Sequence, residues 1–395
     1  MGRRSEKNLQ KNDRSLDLTD GMILIDTVPI APRKVGVRVY VRQFLEAIPL
    51  EQRSSIRLVC TKSNLHLYED LEGYQVLVIP WSIPNRMIRA LTQQVVIPLL
   101  TLWWRPDVVF EPVDNAALLA FAPVVTSIHS GPINLKHGQM SGIRKWYNRL
   151  LLPLSVWRSR KIIAISAYVK EEIINQYRVS PARTQVIYHG GGLVERAKQH
   201  GWDPPEIHER KGGILFISSL HPHKNADSLI RGYARLHGQM EAPPKLVFAG
   251  KDVDDQMTYL RSLAQSEGIS SHVRFEGRVS NQRLLDLLQE ARLMVYPSSL
   301  EGFGMPAVEA MKAGVPLIAS DRASLPEVVG DGGWTVAPDD PSALASAMRD
   351  VLTDPVKSRD LAAAGRKRGR HFSWRKTAQE TLDLLDQASK KGNNS

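Results

Sequence analysis

Short apolar runs alternate with longer segments of helical period from residue 22 onward, and the alternation occurs twice, on either side of a His189-Gly190-Gly191-Gly192 break. Such a rhythm builds parallel strands joined by crossover helices, so the fold class is α/β with each sheet covered on both faces. In the first series residues 22–26, 56–61, 76–79, 107–111, 124–129, 162–166 and 185–188 read as strands, and 37–48 reads as a helix. A linker is expected from His189 to about Lys211, and a second series starts at Gly213. At 395 residues the chain is long for a single core, which makes two domains the expectation.

The stretch 297–338, PSSLEGFGMPAVEAMKAGVPLIASDRASLPEVVGDGGWTVAP, bears most directly on function. Residues 293–296 read as a buried strand, 298–304 as a loop and 306–313 as a helix with its proline in the first turn, where a missing N–H costs little. Unpaired N–H groups and the helix dipole favour a phosphate there, and Gly302 and Gly304 let backbone approach it. Glu301 and Glu309 flank this anion site and would repel a phosphate, so their targets are hydroxyls on either side of it. Ribose, pyrophosphate and sugar in that order describe a nucleoside diphosphate sugar. A rival reading takes Gly302-Phe303-Gly304-Met305-Pro306-Ala307, with Asp321 downstream, as a dinucleotide fingerprint. Against it, several residues separate the strand from the first glycine, whereas the fingerprint turns at once. The plainest reading keeps the glycines as packing residues and the carboxylates as solvated.

The same letters resemble the donor-binding signature of retaining glycosyltransferases of family 4, with its E-x7-E spacing. The likeness continues through FISSLHPHKNADSLIRGYARL at 216–236, where Lys224 stands in the place of a phosphate-binding lysine, and through 245–250, 273–277 and 284–298 to the closing aromatic motif His371-Phe372-Ser373-Trp374. It is specific in the second half and looser in the first. The resemblance implies the GT-B arrangement, two Rossmann-like domains facing across a cleft. An acceptor-binding domain at 21–197 would follow a disordered tail at 1–20. A nucleotide-sugar domain at 198–373 would precede a helix, 374–395 with its tail, that packs back on the first domain.

Residue by residue, the resemblance implies that Glu309 holds the ribose and Lys224 the diphosphate. Glu301 and the Gly304 and Met305 backbone, with Phe303 beside them, would hold the sugar. Gly36 resembles the glycine of a loop facing the donor phosphates, and His129 the histidine that borders the reacting carbon. The family often follows that histidine with aspartate, where this chain has Ser130. Many relatives also place an arginine five residues before the lysine, and this chain has Ser219, leaving Arg278 or His223 to compensate.

Residues 1–200 hold 27 Lys and Arg against 16 Asp and Glu, and residues 201–350 hold 15 against 20. The basic half carries no nucleic-acid reading motif, and anionic lipid fits it better. Residues 86–105, RMIRALTQQVVIPLLTLWWR, and 144–161, RKWYNRLLLPLSVWRSRK, set tryptophans and apolar runs between arginines. Both are too short or interrupted to span a bilayer; they read as interfacial segments or as ordinary core-facing helices. The lone Cys60 excludes an internal disulfide and favours a reducing compartment. The N-terminal residues lack the apolar run of a signal peptide, so a cytoplasmic location, peripheral on the inner face of the membrane, is expected. His189-Gly-Gly-Gly has no G-x-S-x-G partner and reads as linker, and Asp252-Val253-Asp254 reads as a solvated loop. No zinc spacing occurs, so metal and cofactor are both expected to be absent.

The expected function is therefore a metal-independent, retaining hexosyltransferase. It would move a mannose- or glucose-type sugar from a UDP- or GDP-sugar to a lipid-linked or polysaccharide acceptor in cell-surface glycan synthesis, lipopolysaccharide included. Two other classes stay open: a nucleotide-sugar epimerase of the same architecture, and a non-catalytic nucleotide-sugar-binding protein.

Overall fold

The computed structural model describes residues 21–31, 35–83, 85–129 and 142–389. The expected tail at 1–20, Ser130 and the last residues of the chain lie outside them. The first series forms a seven-stranded parallel sheet: β1 (Ile23–Asp26), β2 (Ile56–Thr61), β3 (Gln75–Ile79), β4 (Val108–Glu111), β5 (Val124–Ile128), β6 (Lys161–Ala164) and β7 (Thr184–Val186). Their order is β3-β2-β1-β4-β5-β6-β7. The second series forms a six-stranded parallel sheet from β8 (Ile214–Ile217), β9 (Leu246–Ala249), β10 (Val273–Gly277), β11 (Leu293–Tyr296), β12 (Leu317–Ser320) and β13 (Trp334–Val336). Its order is β10-β9-β8-β11-β12-β13. Strands β1, β4, β5, β8, β9, β11 and β12 are buried along their whole length except for Ile217, which is half-buried. That pattern follows from helices on both faces and explains their near-continuous apolar sequences.

In open parallel sheets, ligands bind beyond the carboxyl ends of the strands where strand order reverses. Those switch points fall between β1 and β4 in one domain and between β8 and β11 in the other. The two domains meet at these ends. A Cβ on Gly302, after β11, would lie 2.7 Å from the carbonyl oxygen of His129, after β5, so only glycine permits the approach. Ala167 N, one turn beyond β6, donates to the Glu327 carboxylate at 2.8 Å.

The chain crosses between the domains twice, and the crossings touch. Gly191 N donates to Phe372 O, and Thr377 Oγ1 to Tyr188 O at 2.7 Å. A Cβ on Gly190 would stand 2.2 Å from Trp374 N. Beyond the second crossing, helix Trp374–Ala388 buries Trp374, Ala378, Leu382 and Leu385 in one core with Tyr40, Phe44 and Phe110 of the first domain. The stretch expected as plain linker contains a helix, Leu193–Gln199, and a 3-10 turn, Ile207–Glu209. That helix starts after Gly192 with no local side-chain cap; its cap comes from Glu309, as described below.

Candidate active site

Lys224 closes a 3-10 turn, Pro222–Lys224, after β8, and Asn225 follows it in the left-handed region. The turn is tied to the loop after β11: Asn225 Nδ2 donates to Pro297 O at 2.8 Å and Ser299 N to His223 O at 2.9 Å. This docking brings Lys224 Nζ into an ion pair with Glu301 Oε1, an oxygen that also accepts the Tyr296 hydroxyl. Both charged side chains are nearly buried, at 10% and 13% exposure. Burial pushes the Glu301 carboxyl up, but the Lys224 charge and the hydrogen bonds from Lys224 and Tyr296 outweigh it and leave the group below its ordinary range. Tyr296 moves the other way, well above the usual phenol range, through burial and the adjoining carboxylate. His223 is held down to about 4 by burial and by the neighbouring Lys224 charge.

Glu309 lies in helix Met305–Lys312, which starts after Gly304 at φ +98°. Its Oε1 accepts from Gly192 N at 2.9 Å and Leu193 N at 2.7 Å, and its Oε2 from Val194 N at 2.9 Å. The carboxylate thus caps the helix that opens the interdomain linker. Burial nevertheless leaves its pKa above the ordinary value, against the lowering effect of the three N–H groups. Sequence reasoning missed this role, and the available signal was the uncapped glycine run before a helix.

His129 is buried. Its backbone N–H donates to Asp114 Oδ1 at 2.7 Å and its Nε2–H to Pro112 O at 3.0 Å. The ring packs edge-on against Tyr40 at 4.7 Å and lies 5.4 Å from His189. His189 in turn contacts Phe303 and stacks on Trp374. Phe303 is buried at 3% exposure among Tyr188, His189 and Phe372. Its ring therefore serves the interdomain aromatic cluster, and a donor contact of the kind expected for it would have to come from its backbone. Met305 is half-buried against cores of both domains. Gly36 is exposed in the first turn of helix Val35–Ala47. Arg278 is exposed after β10, an edge strand two places from β8 and hence about 10 Å from it.

Lys224, Glu301 and Tyr296 therefore converge at the carboxyl ends of β8 and β11, and Gly302 abuts His129 of the other domain. Glu309 stands one helical turn behind. Two family models cover most of the chain: "Glycosyltransferase Family 4" matches residues 35–190, and "Glycosyl transferases group 1" matches residues 203–368. A glycogen synthase of Mycobacterium tuberculosis is 30% identical over 301 residues, covering 73% of this chain and 70% of that protein. The chain belongs to glycosyltransferase family 4. The serotype-specific mannosyltransferase WbdA of Escherichia coli is 29% identical over 238 residues, 57% of this chain, and the chain spans only 28% of that relative's length. Among solved structures, Anabaena Alr3699/HepE in complex with UDP and glucose superimposes with a TM-score of 0.68 at 19% identity, covering 93% of this chain and 99% of that one. That likeness shows the GT-B fold. The two glutamates at E-x7-E spacing in this chain are the ion-paired Glu301 and the helix-capping Glu309.

Proposed function

We propose that this family 4 member is a retaining, metal-independent hexosyltransferase that uses a UDP- or GDP-sugar. The observation that carries the reading is the Lys224–Glu301 pair at the β8/β11 switch point, a nearly buried cation and anion one residue from Gly302, which abuts His129 of the other domain. Lys224 would stabilise the diphosphate as it leaves, and Glu301 would take hydroxyls of the transferred sugar, with Gly304 and Met305 offering backbone beside it. A carboxylate has about four lone-pair sites, and Glu309 uses three on the linker backbone. One remains for a ribose hydroxyl. Retention is read from the family; in such chemistry the leaving phosphate takes the acceptor's proton on the same face of the sugar. The UDP and glucose of the Anabaena neighbour support the donor class, and the mannosyltransferase and glycogen synthase relatives support a hexose destined for a glycan.

An anionic membrane surface is the second partner we propose. Helix Arg86–Trp104 is capped by Asn85 and exposes Ile88, Leu91, Val95, Leu99, Leu102 and Trp103, the last at 81%. Leu119 and Phe121 are also exposed on a loop hydrogen-bonded to it through Gln94 and Thr101, and Leu150 and Trp157 on helix Gly142–Arg158, whose Arg158 donates to Leu118 O of that loop. Arg105, which follows the helix, and Arg149, beside Leu150 in sequence, are also exposed. Contiguous apolar surface of this kind marks an interaction site. No helix among the described residues is long and apolar enough to cross a membrane. Flotation with anionic vesicles should recover the protein, and failure to float removes this partner.

Nucleoside diphosphate release from a panel of UDP- and GDP-hexoses, with EDTA and with or without membrane extract, tests the activity. Extract-dependent release from one donor is expected. A new sugar nucleotide formed from donor alone would favour the epimerase, and binding without turnover the non-catalytic protein.

A further inference from the structure

At the amino ends of β8 and β11, the opposite ends of these strands from Lys224 and Glu301, lies a cavity of about 400 Å³ lined in part by Arg210, Lys211, Arg292 and Arg359. Lys211 precedes β8 and Arg292 directly precedes β11. Their segments are joined by bonds from Gly212 N to Glu290 O at 2.9 Å and from Arg292 N to Gly213 O at 3.1 Å. The facing wall comes from the end of helix Pro341–Thr353 and the start of helix Pro355–Gly369. Buried Ile207 and Val351, with Leu352 and Pro355, supply apolar lining.

Positive charge gathers here although acids outnumber bases over residues 201–350. Lys211, Arg292 and Arg359 have no ion pair and no side-chain hydrogen bond among the described residues. Arg210 is buried and spends its N–H groups on the carbonyl oxygens of Pro205, Leu288, Ala291 and Ala313, which leave its charge unneutralised. Burial, helped by the Arg366 charge, holds its guanidinium down to about 10, with Glu206 pulling the other way. Acids of the same segments are engaged elsewhere: Glu206 with Arg366, Glu290 with Arg283, and Asp354 as the cap of helix Pro355–Gly369. That cap occupies the helix's first free N–H groups, so cationic side chains are what an anion would meet.

We infer that this cavity binds a small organic phosphate, a phosphate monoester on a sugar- or nucleoside-sized body, at a site separate from the donor site. Guanidinium forks suit phosphate oxygens. A volume of this size with partly apolar walls suits the organic body, which inorganic phosphate lacks. Arg210 connects the site to Ala313 O, where the helix bearing Glu309 ends, so the ligand sits one contact from that helix.

The experiment titrates the full chain calorimetrically with ribose 5-phosphate, AMP, ribose, adenosine and inorganic phosphate. At least one of the two esters is expected to bind about tenfold or more tightly than its phosphate-free counterpart and than inorganic phosphate. Arg292→Ser/Arg359→Ser, at positions whose side chains hold nothing in the fold, should keep the parent melting temperature and weaken that ester at least about tenfold. Lys224→Met/Glu301→Gln, which alters the donor site, should leave its affinity unchanged. The reverse pattern, loss in the donor-site variant and retention in the arginine variant, would overturn the proposal by placing the ester in the donor site. Failure of both esters to bind, or affinity no better than that of inorganic phosphate, would overturn it as well.

Discussion

Lys224 and Glu301, 77 residues apart, share one nearly buried ion pair after adjacent strands of the second sheet. Breaking a buried pair on one side strands the other charge, at a cost of about 3–5 kcal/mol. Lys224→Met alone should therefore lower the melting temperature, and adding Glu301→Gln should restore most of it. Thermal melts of the two variants check this; a double variant no more stable than the single one would mean that the pair does not govern stability here.

Glu309 is asked to do two things, and they separate by experiment. Its carboxylate serves three backbone N–H groups, so Glu309→Ala leaves them buried and unpaired, at about 1–3 kcal/mol for each group that water cannot reach. Urea unfolding should show the variant markedly less stable. Under conditions where it remains folded, nucleotide affinity should also be reduced. Unchanged stability would contradict the capping role.

How far the sequence carried depended on range. Strands 56–61 and 293–296 match their observed bounds, because largely apolar, buried runs end abruptly at polar residues or proline. The helix Leu193–Gln199 reads as linker in the sequence because its cap lies 115 residues away in Glu309, beyond any local pattern. Phe303, between two glycines, reads as part of a ligand turn, yet its ring fills an aromatic cluster assembled from three separate segments. Lys224 and Glu301 were each legible by motif, but their contact depends on β8 and β11 being neighbours.

The doubled crossing between domains has little room. Gly190→Ala would drive a Cβ into the Trp374 backbone, which cannot yield as a flexible side chain would. A loss of at least about 1–3 kcal/mol is expected, seen as a lower melting temperature and faster proteolysis between the domains. A variant as stable as the parent would show that the two crossings are not held together.

Acid should loosen the same region. Burial, with the nearby His129, holds the His189 pKa well below 6.5, and His129 is lowered by burial as well. The folded state keeps both rings neutral while the unfolded state takes up protons below about 6.5, so this contribution is complete above that pH and is lost as pH falls. His189 Nε2 is buried without a partner, so His189→Phe should be tolerated at pH 7.5 and should flatten the decline in melting temperature between pH 6.5 and 5. An identical decline in the variant would contradict the assignment.

The most direct test of the account is the turnover of the Lys224→Met/Glu301→Gln variant, followed as nucleoside diphosphate release in EDTA from the donor that the parent protein uses. With folding confirmed by its melting curve, transfer is expected to fall on the order of 100-fold or more through loss of charge stabilisation at the leaving diphosphate. Undiminished turnover in that folded variant would contradict the central claim that this pair forms the reaction site.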